Sequence, residues 1–374
     1  MRRNEERMSG WEAIPATLHL VSGDLDEQTR EALRLLTGTN ARSVVRPIRR
    51  TGSGLVRDFR WLRSSEARRF DLVHCWGALP LAVAAVATRA PLIVSPVGFP
   101  GKRFCRLVGA TNGRRRLRVV VWSELIRRAM VRRGVAPASC GVVYPGVDLS
   151  RIPRGGRDEK LRAELGFEPG DRVLLGVGES TVESDHRSTF WAAGVLFMLE
   201  QRNKLLLWGE GPRAAAVETF ARRTTIPLLT TAKLKLGRSV TFNELLGVAD
   251  GVLVTASGPM TFDPLLRCMA RGLPIVSTIW PGCGEVLEDR YNALFSVSSR
   301  PKVVARRVLD LWEDDELGER ISRQARADVF EHFSATKFID RWAEEYATLL
   351  QQPASRETTG PTRSLPRLAE SPAV

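Results

Sequence analysis

The stretch Ser257–Thr278, SGPMTFDPLLRCMARGLPIVST, decides how this chain is read. A strand ends near Ser257 and a turn follows. Asp263-Pro264 opens a short helix, Gly272-Leu273-Pro274 breaks it, and a second strand begins. Proline suits the start of a helix and glycine its end. A strand–turn–helix–strand junction of this kind is the repeating unit of a parallel α/β sheet. The backbone amides at such a helix start can hold a phosphate. Here an Asp stands at that start. A carboxylate at the N-cap is expected to satisfy the amides itself and to repel an anion. Arg267 is either a phosphate ligand or the ion-pair partner of Asp263 four residues earlier.

Outward from this stretch, short apolar runs alternate with helical patterns on both sides. In the first part, ATLHLV, ARSVVRPI, FDLVHCWG, PLIVSPVG and CGVVYPGVDL read as strands separated by helices. SRIPRGGRDEK then reads as a linker. Beyond it DRVLLGVGES, KLLLWGEGP, IPLLTT and GVLVTAS continue the alternation. The expected anatomy is a flexible arm at 1–14 and a first domain at 15–150. A second domain follows at 151–333. The helix at 334–350 is expected to cross back to the first domain, ahead of a disordered tail at 351–374. Two parallel-sheet α/β units in tandem face a cleft, and ligands of such sheets bind beyond the carboxyl ends of the strands.

The chain has 374 residues and a formal net charge of +14. Residues 1–155 carry +16 and the remainder −2. Such asymmetry reads either as a basic face for an anionic lipid or acidic acceptor, or as a solvated arginine-rich surface. The arginine pairs are not interleaved with aromatics, so no nucleic-acid partner is expected. No apolar run approaches the ~20 residues needed to span a bilayer, and the basic N-terminus lacks the apolar core of a secretory signal. The five cysteines are scattered without a CxxC pair, so reduced thiols in the cytoplasm are expected, with neither a metal nor a disulfide framework.

Glycine-rich turns follow two strands of the second half. GVGES contains Gly178 and WGEGP contains Gly209 and Gly211. Glycine lets backbone approach a ligand closely. His74 and Trp76 stand at the end of a first-half strand, at the edge of the expected cleft. Trp122 and Trp208 hold similar positions; these tryptophans either line the cleft or pack in the core, and His74 is either a cleft residue or a hydrogen-bonded strand-end histidine.

Together these pieces resemble the group 1 glycosyltransferases, family 4, which have the GT-B fold. FDLVHCWG is similar to the family's D-V-V-H-x-H-G segment, and LLLWGEGP to its L-x-I-x-G-D-G-P. The run from Ala249 to Phe295 carries the strongest likeness. The resemblance implies transfer of a sugar from a nucleotide-sugar donor to a lipid or polysaccharide acceptor, with retention of configuration. It also implies no cofactor, and a location in the cytoplasm or peripherally at the inner membrane face. It places His74 and Trp76 on the acceptor side. Gly178, Gly209, Gly211, Asp263 and Glu285 fall at the donor site, with Arg187 and Arg267 as the cations nearest the phosphates. The family's donor-site arginine is Glu179 here, and its paired glutamates fall on Pro259 and Arg267. The donor motifs are therefore degenerate, and the catalytic residues are unassigned. Two functions follow: a glycosyltransferase, or a catalytically inactive GT-B protein that serves binding or assembly.

Overall fold

The computed structural model describes residues 14–351, apart from 24, 209–210, 224–228, 232–235 and 239. Expectations for the N-terminal arm before Ile14, the tail beyond Gln351 and Gly209 fall outside the described residues. Ile14 itself is buried in the core.

The first sheet contains β1 (Thr17–Val21), β2 (Val44–Pro47), β3 (Leu72–Trp76), β4 (Leu92–Ser95), β5 (Leu117–Val121) and β6 (Cys140–Val142). All pairings are parallel, in the order β2-β1-β3-β4-β5-β6. The second sheet contains β7 (Arg172–Gly176), β8 (Asn203–Leu207), β9 (Leu229–Thr231), β10 (Gly251–Val254), β11 (Ile275–Thr278) and β12 (Leu294–Ser296). Its order, β12-β11-β10-β7-β8-β9, is again wholly parallel. The chain reverses direction across this sheet between β7 and β10. That is the topological switch point where doubly wound sheets open a crevice.

Central strands such as β3 and β10 are apolar in nearly every position because helices cover both of their faces. The flanking helices start on local caps. Asp26 accepts from the amide of Thr29 at 2.7 Å, and Ser123 from that of Ile126 at 3.2 Å. The last helix, Ala335–Gln351, leaves the second domain and packs on the first. Val147 and Ser334 form a parallel bridge at the crossing. Phe338, Ile339, Trp342, Tyr346 and Leu349 then bury one face against Trp76, Ile93, Val120 and Trp122. Their helical spacing makes one apolar stripe. Among the described residues, no helix is long and apolar enough to cross a membrane.

Candidate functional site

A cleft of about 510 Å3 opens between the two sheets. Every wall comes from a loop or helix start beyond the carboxyl end of a strand. After β1 come Asp26 and Gln28; after β4, Gly98 and Phe99; after β5, Trp122 and Ser123. From the second sheet, Glu179, Thr181, Glu183 and Ser184 follow β7, and Pro259 to Phe262 follow β10. The switch point of the second sheet therefore faces the cleft directly.

The electrostatics of this cleft are acidic. Asp26, Glu179 and Glu183 line it, and among the described residues no lysine or arginine does. Burial raises the pKa of the Glu179 carboxyl, and the neighbouring Asp26 and Glu27 carboxylates add to the rise. Each term disfavours the charged form. The hydroxyl of Thr261 donates to Glu179 at 3.5 Å and offsets part of this.

Arg267 is buried behind the cleft wall, on the Asp263–Arg271 helix, and is already satisfied. Its Nη2 lies 2.8 Å from Asp263 and its Nη1 3.0 Å from Glu27 of the first domain. Asn243 Oδ1 accepts from Nη1 at 3.4 Å. Of the two sequence readings of Arg267, the structure has the local pair. Burial pushes the Asp263 carboxyl up to about 7, although the Arg267 guanidinium opposes the rise.

The expected capping role of Asp263 is corrected. The N-cap is Phe262, and Asp263 is the first helical residue. Its carboxylate turns back along the helix to Arg267, so it leaves the helix-start amides to another group. That group is Gln28, whose Oε1 accepts from Phe262 N at 3.2 Å and Asp263 N at 3.4 Å. The amides that could meet a phosphate are thus held by a side chain of the first domain.

His74 and Trp76, assigned by sequence to the acceptor side of the cleft, are fully buried under the last helix. His74 bonds Tyr346 Oη and Ser95 Oγ, each at 3.1 Å. Its ring stacks on Trp76 with centroids 4.1 Å apart. The reason is the Ala335–Gln351 helix, which seals the sheet where an open edge was expected. Trp208 is likewise core, and Trp122 does reach the cleft.

Gly178 and Gly211 are packing glycines at φ of +150° and +144°. A Cβ on Gly178 would stand 2.8 Å from Ser184, and one on Gly211 2.9 Å from the backbone of Ser180. Gly211 lets the post-β8 loop approach the post-β7 loop, and Gly178 lets the post-β7 loop fold on itself. Arg187 is exposed on the His186–Leu199 helix and is not among the cleft-lining residues. Glu285, placed by the resemblance at the donor site, lies on a single 3-10 turn, Cys283–Glu285. Its carboxylate accepts from the amides of Glu124 at 2.7 Å and Leu125 at 2.8 Å, and from Tyr144 Oη at 2.9 Å.

Sequence reasoning missed Asp26, Glu27, Gln28 and Phe99. The available signal was positional: all four lie just past the ends of predicted strands, in the first turn of a helix or the loop before one.

Residues 16–151 match the family model described as Glycosyltransferase Family 4. No curated protein sequence matches the chain significantly. Among solved structures, the chain is similar to Anabaena HepE in complex with UDP and glucose, with a TM-score of 0.74 at 16% identity. That match covers 89% of this chain and 100% of the other. A glycosyltransferase from Rickettsia africae has a TM-score of 0.73 at 14% identity, covering 90% and 99% of the two chains. A sucrose-phosphate synthase from Thermosynechococcus elongatus has 0.69 at 14%, covering 89% and 98%. The chain therefore has the GT-B fold, two Rossmann-like parallel-sheet domains facing a cleft.

Proposed function

We propose that this GT-B protein, whose first domain matches the family 4 glycosyltransferase model, is a glycosyltransferase. It would move a sugar from a nucleotide-sugar donor to a lipid or saccharide acceptor with retention of configuration. The observation that carries this reading is the position of the cleft, at the β7/β10 switch point and opposite the strand ends of the first sheet. The solved HepE complexes with UDP, glucose and UDP-glucose support a nucleotide sugar as donor. In such transfer the protein's main task is to stabilise charge on the leaving diphosphate. Among the described residues, the groups that could do so are backbone amides beyond β7 and, once Gln28 withdraws, those of Phe262 and Asp263, since no described lysine or arginine lines the cleft.

A second reading, a non-catalytic GT-B protein that binds or assembles, is favoured by one specific observation. The cleft is lined by three carboxylates, while Arg267 is spent on Asp263 and Glu27. Thermal denaturation with a panel of nucleotide sugars separates the two. For the transferase, at least one donor at millimolar concentration raises Tm by a few degrees, as mass-action linkage requires. A flat response to the whole panel removes the enzyme reading.

The acceptor side bears the excess positive charge. Lys102, Arg103, Arg106, Arg132 and Arg133 are all exposed on the first domain, and Phe99 is itself 48% exposed at the cleft rim. The Arg133 guanidinium lies 5.7 Å from the Phe99 ring centroid. We place the acceptor's anionic part, or the surface of an anionic membrane, against this rim. Co-sedimentation with phosphatidylglycerol vesicles should be strong at low ionic strength and fall steeply near 0.5 M salt, because exposed charges are screened within roughly a Debye length. Binding that is absent at low salt, or unchanged at high salt, contradicts the electrostatic account.

A further inference from the structure

The two domains exchange helix caps across the cleft. Gln28, in the first turn of the Glu27–Gly38 helix, is buried and caps the Asp263–Arg271 helix of the second domain. In the opposite direction, Glu285 of the second domain caps the Glu124–Val131 helix of the first, taking the amides of both Glu124 and Leu125. Tyr144, also of the first domain, donates to the same carboxylate. The Glu27–Arg267 pair closes the network beside Gln28. Gly282, next to this turn at φ +95°, has Leu125 so near that an added Cβ would lie 3.3 Å from it.

The geometry matters because neither of these helices caps itself fully. The Glu124–Val131 helix does so only in part, through Ser123 to Ile126. Phe262, the N-cap of the Asp263–Arg271 helix, has no side-chain oxygen to offer, and Asp263 is turned away to Arg267. Both helix starts therefore leave amides that, among the described residues, the other domain satisfies. Opening the cleft exposes these amides to water and separates the charged pair, so the contacts act together as one element with two states.

We propose that this reciprocal capping is a latch that holds the domains closed, and that Gln28 is the gate of the donor position. The Gln28 amide oxygen sits on the two helix-start amides that a donor phosphate would need. A phosphate-bearing ligand binds there only after the latch opens and Gln28 withdraws. Gln28 is thus a specificity-determining residue that lowers affinity for the diphosphate by the fraction of molecules latched. The gate rests on the donor reading given above; the latch does not.

The test uses the full chain without ligand, then with UDP as the probe. Hydrogen exchange is followed at the amides of Phe262, Asp263, Glu124 and Leu125. In the latch, Gln28→Ala accelerates exchange at Phe262 and Asp263 at least tenfold. The milder Gln28→Asn, one methylene shorter, does the same and covers the case in which the alanine variant folds poorly. The double variant Gln28→Asn/Glu285→Gln accelerates all four amides and increases the radius of gyration by small-angle scattering. Unchanged protection in both Gln28 variants overturns the latch. For the gate, calorimetry with UDP gives tighter binding, by at least threefold, to Gln28→Asn than to the parent chain. Equal or weaker binding overturns it. If UDP binds neither protein, the UDP-donor reading and the gate fall together, while the exchange data still decide the latch.

Discussion

Replacing Trp342 with alanine is expected to cost about 3–5 kcal/mol of stability, the usual range for deleting a buried tryptophan. Trp342 is completely buried at the centre of the last helix. It touches His74 (ring centroids 4.7 Å apart), Trp76 (6.0 Å), Trp122 (6.2 Å) and Tyr346 (5.6 Å). No neighbouring side chain can collapse into the space without uncovering the ends of β3 and β5. The loss should therefore release the whole Ala335–Gln351 helix from the first sheet. Since Trp122 also lines the cleft, the cleft wall should loosen with it. Trp342→Phe is the control. Among the described residues the indole Nε1 has no hydrogen-bond partner, so phenylalanine removes volume and no bond, and should cost clearly less. Urea unfolding of the two variants checks both. Equal losses would mean that the site tolerates no change of shape; no loss in the alanine variant would mean that the helix is not docked.

The second large effect is acid sensitivity. His19 and His74 pair across β1 and β3 and are both fully buried. The Nδ1 of His19 accepts from the Trp76 indole at 3.2 Å, while its Nε2 has no partner among the described residues. That arrangement requires the neutral ring. Burial lowers the pKa of His19 to about 3. His74 is also held well below 6.5, first by burial and then by its histidine neighbour. For groups depressed in the folded state, the stabilisation is complete above the unfolded value of 6.5 and is lost as pH falls toward the folded value. Each histidine approaches a slope of about 1.4 kcal/mol per pH unit only below 6.5, so the pair should cost about 3 kcal/mol between pH 6.5 and 5. That is a large part of a normal domain's stability. Asp263 works the other way. Its raised pKa adds stability at low pH, lost as pH rises from about 4 to about 7. The histidine contribution is therefore read as a difference. His74→Gln keeps a hydrogen-bonding side chain between Tyr346 and Ser95 but has no proton to gain. Its urea midpoint should fall less between pH 7 and 5 than that of the parent chain, by about one proton's worth of slope. Parallel pH profiles would show that His74 is not excluded from protonation.

The fold class was open to reading because parallel α/β sheets write themselves in local pattern. FDLVHCWG and GVLVTAS are short, apolar and bounded by turn residues, and the structure has β3 and β10 there. The one-sided stripe of the last helix was equally visible. The site was legible only in outline. Gly178 and Gly211 mark the loops after β7 and β8, yet their tight packing serves the loops themselves. Periodicity locates strand ends. It does not say which ends stay open.

By itself, the sequence determined the alternation of strands and helices, the two-sheet division and the concentration of positive charge in the first half. These follow from residue type and spacing along the chain. Tertiary structure alone decided that His74 and Trp76 are sealed in the core, that Arg267 is neutralised by Asp263 and Glu27, and that Gln28 holds the helix start a phosphate would use. Each depends on residues far apart in sequence meeting where the domains close, and on the cost of leaving a buried charge or amide unpaired.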